Sequence, residues 1–106
     1  MRYEAPGTTK EAAALLAKEK GKAFILAGGT DLLVRMKSGL IEPDLMIDIK
    51  YVPAMQEIKS TKTGFKIGAA VPSAELGEHK ALKKAWPGVV EAANLIGSDQ
   101  IQSRCT

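Results

Sequence analysis

Residues 24–33, Phe24-Ile-Leu-Ala-Gly-Gly-Thr-Asp-Leu-Leu33, form an apolar run that ends in a glycine pair and continues into a helix-like segment. A strand, a glycine turn and a helix start together present free backbone N–H groups, which can bind an anion such as a dinucleotide pyrophosphate. Glycine at 28 and 29 lacks the Cβ that would keep a phosphate from the backbone, and it permits positive φ. Thr30 and Asp31 can cap the segment that follows. The alternative is an ordinary strand-to-helix turn, so the rest of the chain must decide.

Composition indicates one modest globular domain. The chain has 106 residues, 45% of them apolar and 25% charged, which suffices for a single core. No apolar run approaches the roughly 20 residues of a membrane span, and no signal peptide is recognisable, so we expect a cytoplasmic protein. The single cysteine, Cys105, excludes an intrachain disulfide and any cysteine-ligated cluster built from this chain alone. The net charge of +3 arises from interleaved basic and acidic residues, which is typical of a solvated surface.

The first half of the chain predicts alternating strands and helices. The expected elements are a strand at 2–6, a helix from a Thr8–Glu11 capping box to Gly21, a strand at 24–27, a helix at 31–38 and a strand at 45–49. The short apolar strand at 24–27 is typical of a strand buried on both faces of a parallel sheet. The glycine turn then lies at the carboxyl end of a strand, where ligands bind in open α/β sheets.

The second half predicts a hairpin and short helices. Strands at 55–59 and 65–71 flank a turn-rich connection, and alternation in the second predicts that Phe65, Ile67, Ala69 and Val71 face the core. Three short helices follow, with Ser73 as the first cap and Trp86 as a core residue. The buried face of the third helix is predicted to consist of Val89, Val90, Ala93 and Leu95. The fold class is therefore α+β: an α/β-like unit with a small three-stranded, mainly parallel sheet flanked by helices, then a β-hairpin and short helices.

Three motifs together resemble a known family. They are Leu26-Ala-Gly-Gly-Thr-Asp-Leu-Leu33 with Met36-Lys37, Ile67-Gly-Ala-Ala70 with Ser73 to Leu76, and Ile96-Gly-Ser-Asp-Gln-Ile-Gln-Ser-Arg-Cys-Thr106. In this order, over essentially the whole chain, they resemble the FAD-binding domain of the molybdenum hydroxylases, a PCMH-type domain. The family includes the flavin subunit of xanthine dehydrogenase and the medium subunit of carbon monoxide dehydrogenase.

The resemblance implies an electron-transfer role. In the family, a molybdenum cofactor on a large subunit oxidises the substrate, [2Fe-2S] clusters on a small subunit carry the electrons, and FAD passes them to an acceptor. The implied FAD-binding residues are Ala27, Gly28, Gly29, Thr30, Asp31, Leu32, Ile96 and Thr106. Backbone amides and the Thr30 hydroxyl would hold the pyrophosphate, Ile96 would lie near the flavin ring, and Thr106 would begin a second binding loop. No catalytic residue and no metal ligand are expected on this chain.

The resemblance also implies that residues 1–106 form an incomplete N-terminal portion of one FAD-binding domain. In the family, an apolar residue, two glycines and usually an asparagine follow the position of Thr106. Alone, the chain is then expected to be inactive, to bind FAD weakly or undetectably and to expose apolar surface that favours self-association. The family commonly has arginine and asparagine where Gln102 and Ser103 stand, and a small residue in place of Cys105.

The remaining polar residues suggest little other chemistry. His79 has no second histidine or cysteine at metal-ligand spacing, and Asp44 and Asp48 are interpreted as structural or solvated. The alternative function is a small α/β module without catalysis that binds an anionic partner or nucleic acid. Its candidate contacts are Lys18, Lys20 and Lys22, or Lys80, Lys83 and Lys84.

Overall fold

A computed structural model describes residues 1–19 and 21–106. Its elements are β1 (Arg2–Glu4), α1 (Thr9–Lys18), β2 (Ala23–Leu26), α2 (Leu32–Lys37), β3 (Leu45–Asp48), a 3₁₀ turn (Pro53–Gln56), β4 (Ile58–Thr61), β5 (Gly64–Ile67), α3 (Ser73–Glu78), α4 (Lys80–Ala85), α5 (Pro87–Asn94) and α6 (Asp99–Gln102). The predicted order of strands and helices in the first half is confirmed. In the described part of the chain, no helix combines the length and the apolar character needed to cross a bilayer.

The three N-terminal strands form a parallel sheet in the order β1-β3-β2. Met46 pairs with Tyr3 on one side and with Phe24 on the other. Because β3 occupies the centre, its four residues are all buried, and Leu45 and Ile47 are fully enclosed. The three-stranded parallel sheet and the hairpin of β4 and β5 confirm the predicted α+β fold.

The position of β2 in the sheet differs from the prediction. It is an edge strand, and Ile25 is 49% exposed, so the expectation of burial on both faces was wrong. The apolar content of β2 indicated a strand correctly, but the central place belongs to β3, in which three of the four residues are apolar. Periodicity within one segment does not determine which of two such strands is central.

Helix α1 begins as its sequence predicts. The Thr8 hydroxyl accepts a hydrogen bond from the Glu11 N–H at 3.1 Å, and the Glu11 carboxylate accepts one from the Gly7 N–H at 3.3 Å. Ala12 is buried in the core with Leu45 and Ile47, and the leucines at 15 and 16 pack against this cluster. The amphipathic face of α1 therefore covers one side of the sheet.

The hairpin begins later and ends earlier than predicted. Met55 lies in the 3₁₀ turn, and β5 ends at Ile67, whose side chain is 42% exposed. Val71 is buried as predicted, but Ile67 and Ala69 are exposed and Ala70 is buried, so the predicted alternation was wrong from Ile67 to Ala70. Beyond β5, the Gly68 N–H bonds to the Glu57 carbonyl and the Ala70 N–H to the Met55 carbonyl, so backbone contacts continue in the register of the hairpin as far as the 3₁₀ turn.

The C-terminal helices bury fewer residues than predicted. Val90 and Ala93 are buried as expected, and Leu82 joins them from α4. Trp86 is 57% exposed and Leu95 79% exposed, and Val89 is also exposed, so these three were wrongly assigned to the core. Trp86 stands at the junction between α4 and α5, outside both helices, where neither helix covers its ring.

Candidate functional site

The glycine loop, residues 27–31, connects the carboxyl end of β2 to α2. Within the part of the chain that the structure describes, the N–H groups of Gly28, Gly29, Thr30 and Asp31 donate no hydrogen bond. N–H groups at a helix start lack an intrahelical acceptor and remain free to bond to water or to a ligand, and successive ones form a site for an anion. The loop therefore offers the donors that a pyrophosphate needs.

The two glycines of this loop are required for different reasons. Gly29 has a φ of +81°, a conformation that residues with a Cβ rarely adopt. Gly28 has no positive φ, but a Cβ at this position would overlap the backbone carbonyl of Arg104. The positive φ expected of the pair is thus found at Gly29, and Gly28 permits a close approach of two backbone segments.

The caps expected for α2 do not form. Asp31 occupies the N-cap position, but its side chain makes no capping hydrogen bond and is 84% exposed. It faces Arg35, one turn along the helix, with 3.7 Å between the Arg35 Nη1 and the Asp31 Oδ2. Thr30 is also exposed. The hydroxyl and carboxylate next to the glycines are therefore open to solvent at the start of α2.

The C-terminal segment packs against the glycine loop. The Cys105 carbonyl accepts hydrogen bonds from the N–H of Ser73 at 2.6 Å and from its hydroxyl at 3.0 Å. Ser73 is the first residue of α3 and not its cap, which is Pro72, so the predicted role was wrong. With Cys105 held in this way, Thr106 lies beside Gly28. The sequence motif that contains Ser73 and the one that ends at Thr106 therefore both lie next to the glycine loop.

Two clefts lie on either side of the glycine loop, and Ala27, Gly28 and Thr106 line both. The outer cleft, about 320 Å³, is also lined by Phe24, Ile25, Gly29, Thr30, Asp31, Leu32 and Arg35. The inner cleft, about 460 Å³, is also lined by Leu26, Leu33, Lys50, Gln56, Ala70, Pro72, Ser103 and Arg104. Seven of the eight residues expected to bind FAD therefore surround the outer cleft. Ile96 follows α5 and lines neither cleft.

A larger cleft, about 700 Å³, lies between the end of β1 and α1. Its walls are mainly the alanines and Leu15 of α1, with Pro6 opposite, and no residue of the glycine loop lines it. Its two glutamates and one lysine are exposed residues at the rim. We therefore place the candidate site at the glycine loop.

A polar cluster of Tyr3, Asp48 and Lys50, which the sequence did not reveal, contacts the base of the glycine loop. The Asp48 carboxylate is 3% exposed and accepts hydrogen bonds from the Tyr3 hydroxyl at 2.5 Å and the Lys50 N–H at 3.0 Å. The Lys50 ammonium lies 2.9 Å from Asp48 Oδ1 and donates to the Ala27 carbonyl at 2.9 Å. Of the two interpretations left open for Asp48, structural or solvated, the structure therefore supports the structural one.

The cluster changes the acidity of two of its members. Burial alone would raise the pKa of Asp48, but hydrogen bonds from Tyr3 and Lys50 outweigh burial and hold this pKa below its usual value. The hydrogen bond to Asp48 is the largest cause that raises the pKa of Tyr3, followed by burial, to about 12. Asp48 therefore remains a carboxylate at neutral pH, and Tyr3 remains its donor.

Sequence comparison places these observations in a family. The family model described as the FAD binding domain in molybdopterin dehydrogenase matches residues 1–106. The chain belongs to this family. The resemblance inferred from the three motifs is thereby confirmed, and so is the assignment of FAD as the cofactor of the domain.

Curated relatives of this FAD-binding family include two bacterial proteins. The carbon monoxide dehydrogenase medium chain of Hydrogenophaga pseudoflava is 35% identical over 104 residues, which is 98% of this chain and 36% of the relative. The nicotinate dehydrogenase FAD-subunit of Eubacterium barkeri is 32% identical over 102 residues, which is 95% of this chain and 34% of the relative. The chain thus spans about a third of the length of these relatives.

Solved structures of the family have the same fold. A chain of carbon monoxide dehydrogenase from Hydrogenophaga pseudoflava superposes with a TM-score of 0.95 at 34% identity, covering 100% of this chain and 37% of that one. A chain of reconstituted CO dehydrogenase from Oligotropha carboxidovorans gives a TM-score of 0.94 at 30% identity, covering 98% of this chain and 36% of that one. The fold described above is therefore shared with chains of these two enzymes.

No finding supports the alternative of a basic binding module. Lys18, Lys22, Lys80, Lys83 and Lys84 are exposed, as solvated lysines are in most proteins, and Lys20 lies outside the described residues.

Proposed function

We propose that the glycine loop of this chain binds the pyrophosphate of FAD. The observation that carries the proposal is the run of N–H groups from Gly28 to Asp31, which have no acceptor among residues 1–19 and 21–106 and lie at the carboxyl end of a parallel strand. The positive φ of Gly29 adds support, because it lets successive N–H groups converge on one anion. These features fit the phosphate part of a dinucleotide.

The proposal assigns a role to each residue of the site. Backbone amides from Ala27 to Leu32 contact the phosphates, and the Thr30 hydroxyl is a further donor. Thr106 lines both clefts and would approach the cofactor from the opposite side of the loop. For Ile96 we propose a place near the flavin ring on the family resemblance alone, since it lines neither cleft.

We further propose that the chain is part of the flavin subunit of a molybdenum-containing hydroxylase or dehydrogenase. FAD when bound supplies the electron-carrying chemistry, and this chain supplies binding and orientation. Iron–sulfur clusters and the molybdenum cofactor would lie on a small and a large partner subunit, in the cytoplasm. The relatives named medium chain and FAD-subunit support this division. Residues 1–106, all of which the family model matches, would form the N-terminal portion of a single FAD-binding domain.

The test is flavin content after replacement of a loop glycine. The protein, isolated together with the subunits that co-purify with it, is expected to carry FAD, and Gly29→Val is expected to remove it. Gly88→Ala is the matched control, because a Cβ there meets nothing within 4 Å. A folded wild-type protein that neither carries FAD nor can be reconstituted with it would refute the proposal.

For residues 1–106 alone we propose weak FAD affinity. Flavin fluorescence titration of this chain measures it directly, and micromolar or tighter binding would show that the glycine loop suffices. Exposed Leu40, Trp86 and Leu95 would favour self-association of the chain alone, which sedimentation velocity measures.

A further inference from the structure

The Lys50 side chain joins the ends of two neighbouring strands. Lys50 follows β3, and its ammonium donates to the carbonyl of Ala27, which follows β2. The two residues are 23 positions apart in sequence. Because parallel strands end at the same edge of a sheet, this contact lies at the base of the glycine loop.

The Lys50 ammonium is itself held in place. It lies 2.9 Å from Asp48 Oδ1, and the Tyr3 hydroxyl occupies the other oxygen of this buried carboxylate. One third of the Lys50 side chain remains exposed, at 34%. Because the ion pair with Asp48 leaves the Lys50 ammonium few alternative positions, the direction of its hydrogen bond to the Ala27 carbonyl is fixed.

The direction of this hydrogen bond determines where the next N–H points. In a planar trans peptide, the carbonyl and the N–H point in opposite directions. Lys50 lines the inner cleft and not the outer one, so the Ala27 carbonyl turns towards the inner cleft and the Gly28 N–H turns away from it. A Cβ at Gly28 would overlap the Arg104 carbonyl, so this backbone lies close to Gly28, and Arg104 lines the inner cleft together with Lys50.

From this geometry we propose that Lys50 is a positioning residue for FAD binding: it anchors the Ala27–Gly28 peptide so that the Gly28 N–H faces the cofactor phosphate in the outer cleft. The inference rests on the proposed function and assigns to Lys50 no direct contact with FAD. Asp48 and Tyr3 act through Lys50 by fixing its ammonium.

The first measurement follows the peptide without FAD. Chains labelled with ¹⁵N-glycine are compared by NMR as wild type, Lys50→Met, Lys50→Arg and Lys59→Met. The Gly28 resonance is expected to shift in Lys50→Met and to return towards the wild-type position in Lys50→Arg, because an arginine still donates to Ala27. Lys59→Met is the matched charge control: Lys59 is exposed and pairs with Glu57 at 3.1 Å on the hairpin.

The second measurement is the FAD dissociation constant of the same four chains. Loss of one oriented donor is expected to weaken binding about tenfold in Lys50→Met, with recovery in Lys50→Arg and no change in Lys59→Met. If Lys50→Met fails to fold because Asp48 is left as an unpaired buried charge, Asp48→Asn/Lys50→Met replaces it and is expected to lose FAD affinity to the same extent.

The outcomes separate this proposal from the proposed function. An unchanged Gly28 resonance in Lys50→Met, with or without a loss of FAD affinity, would overturn the positioning role. A wild-type protein, isolated with its co-purifying subunits, that neither carries FAD nor can be reconstituted with it would overturn the proposed function. A shifted Gly28 resonance would still establish the anchor. Equal losses in Lys50→Met and Lys59→Met would show that net charge alone attracts FAD, and would also overturn the proposal.

Discussion

Ser73 holds the carbonyl oxygen of Cys105 with two donors, its backbone N–H at 2.6 Å and its hydroxyl at 3.0 Å. Ser73 is 5% exposed, so this double contact is shielded from water. It fixes the C-terminal segment against the start of α3 and thereby sets the position of Thr106 beside the glycine loop.

Replacement of Ser73 by alanine removes only one of these donors. The Cys105 carbonyl keeps the Ser73 N–H, so no buried acceptor is left unsatisfied, and we expect the free energy of unfolding to fall by about 1 kcal/mol. Urea denaturation measures the change. Ser60→Ala, at an exposed position of β4, is the control and should have a smaller effect. Equal stability of the two variants would contradict the role given to the Ser73 hydroxyl.

Replacement of Gly28 by alanine introduces a clash with backbone, which cannot move as a side chain can. A Cβ at position 28 overlaps the Arg104 carbonyl, and we expect a loss of about 1–3 kcal/mol in the free energy of unfolding. The Ser73 amide should also exchange with solvent faster, since its acceptor moves away with the displaced segment. Gly88→Ala, in α5, is expected to be neutral or stabilising by up to about 1 kcal/mol. Similar stabilities of the two variants would exclude the close approach.

Titration at high pH tests the contact between Tyr3 and Asp48. The ultraviolet absorbance of tyrosinate should show one phenol ionising at about 12, and this step should be absent in Tyr3→Phe. Since the pKa of Tyr3 is raised above its unfolded value near 10, its contribution to stability is complete below about pH 10 and is lost as the pH rises through 12. Tyr3→Phe should flatten this alkaline loss of stability, whereas Tyr51→Phe should retain it.

Replacement of His79 tests the start of α4. Its Nδ1 accepts the Leu82 N–H at 3.1 Å, and its ring packs edge-on against Phe65 with 6.1 Å between the ring centroids. His79→Ala removes the capping acceptor and is expected to lower the free energy of unfolding by about 0.5–2 kcal/mol. His79→Asn supplies another acceptor and should recover part of the loss. A full recovery by asparagine would show that the ring contact contributes nothing.

The features that were predicted correctly depend on neighbouring residues. The capping box of Thr8 and Glu11 acts over four positions, and the apolar strands are bounded by nearby turn residues. The glycine loop was also found at the strand end expected from its sequence. Each of these patterns lies within a few consecutive residues, so the order of strands and helices can be predicted from the sequence.

The features that were missed depend on distant residues. Tyr3 and Asp48 are 45 positions apart, and their hydrogen bond exists only because β1 and β3 are neighbours in the sheet. An aspartate that ends an apolar strand could have indicated a buried polar group, but not its partners. The exposure of Trp86 was missed for a similar reason, since the arrangement of α4 and α5 decides what covers the ring.

The central place of β3 has a consequence for how the chain folds. Among the strands that the structure describes, β1 and β2 pair only with β3, so neither has a strand partner until residues 45–48 are available. During synthesis, α1 can form early because its capping residues are local. The sheet can form only after β3 has left the ribosome, and β1 and β2 can then pair with it at the same time. Such non-local pairing slows folding. A mutation in β3 is therefore expected to slow refolding more than one in the hairpin, whose two strands are adjacent in the chain.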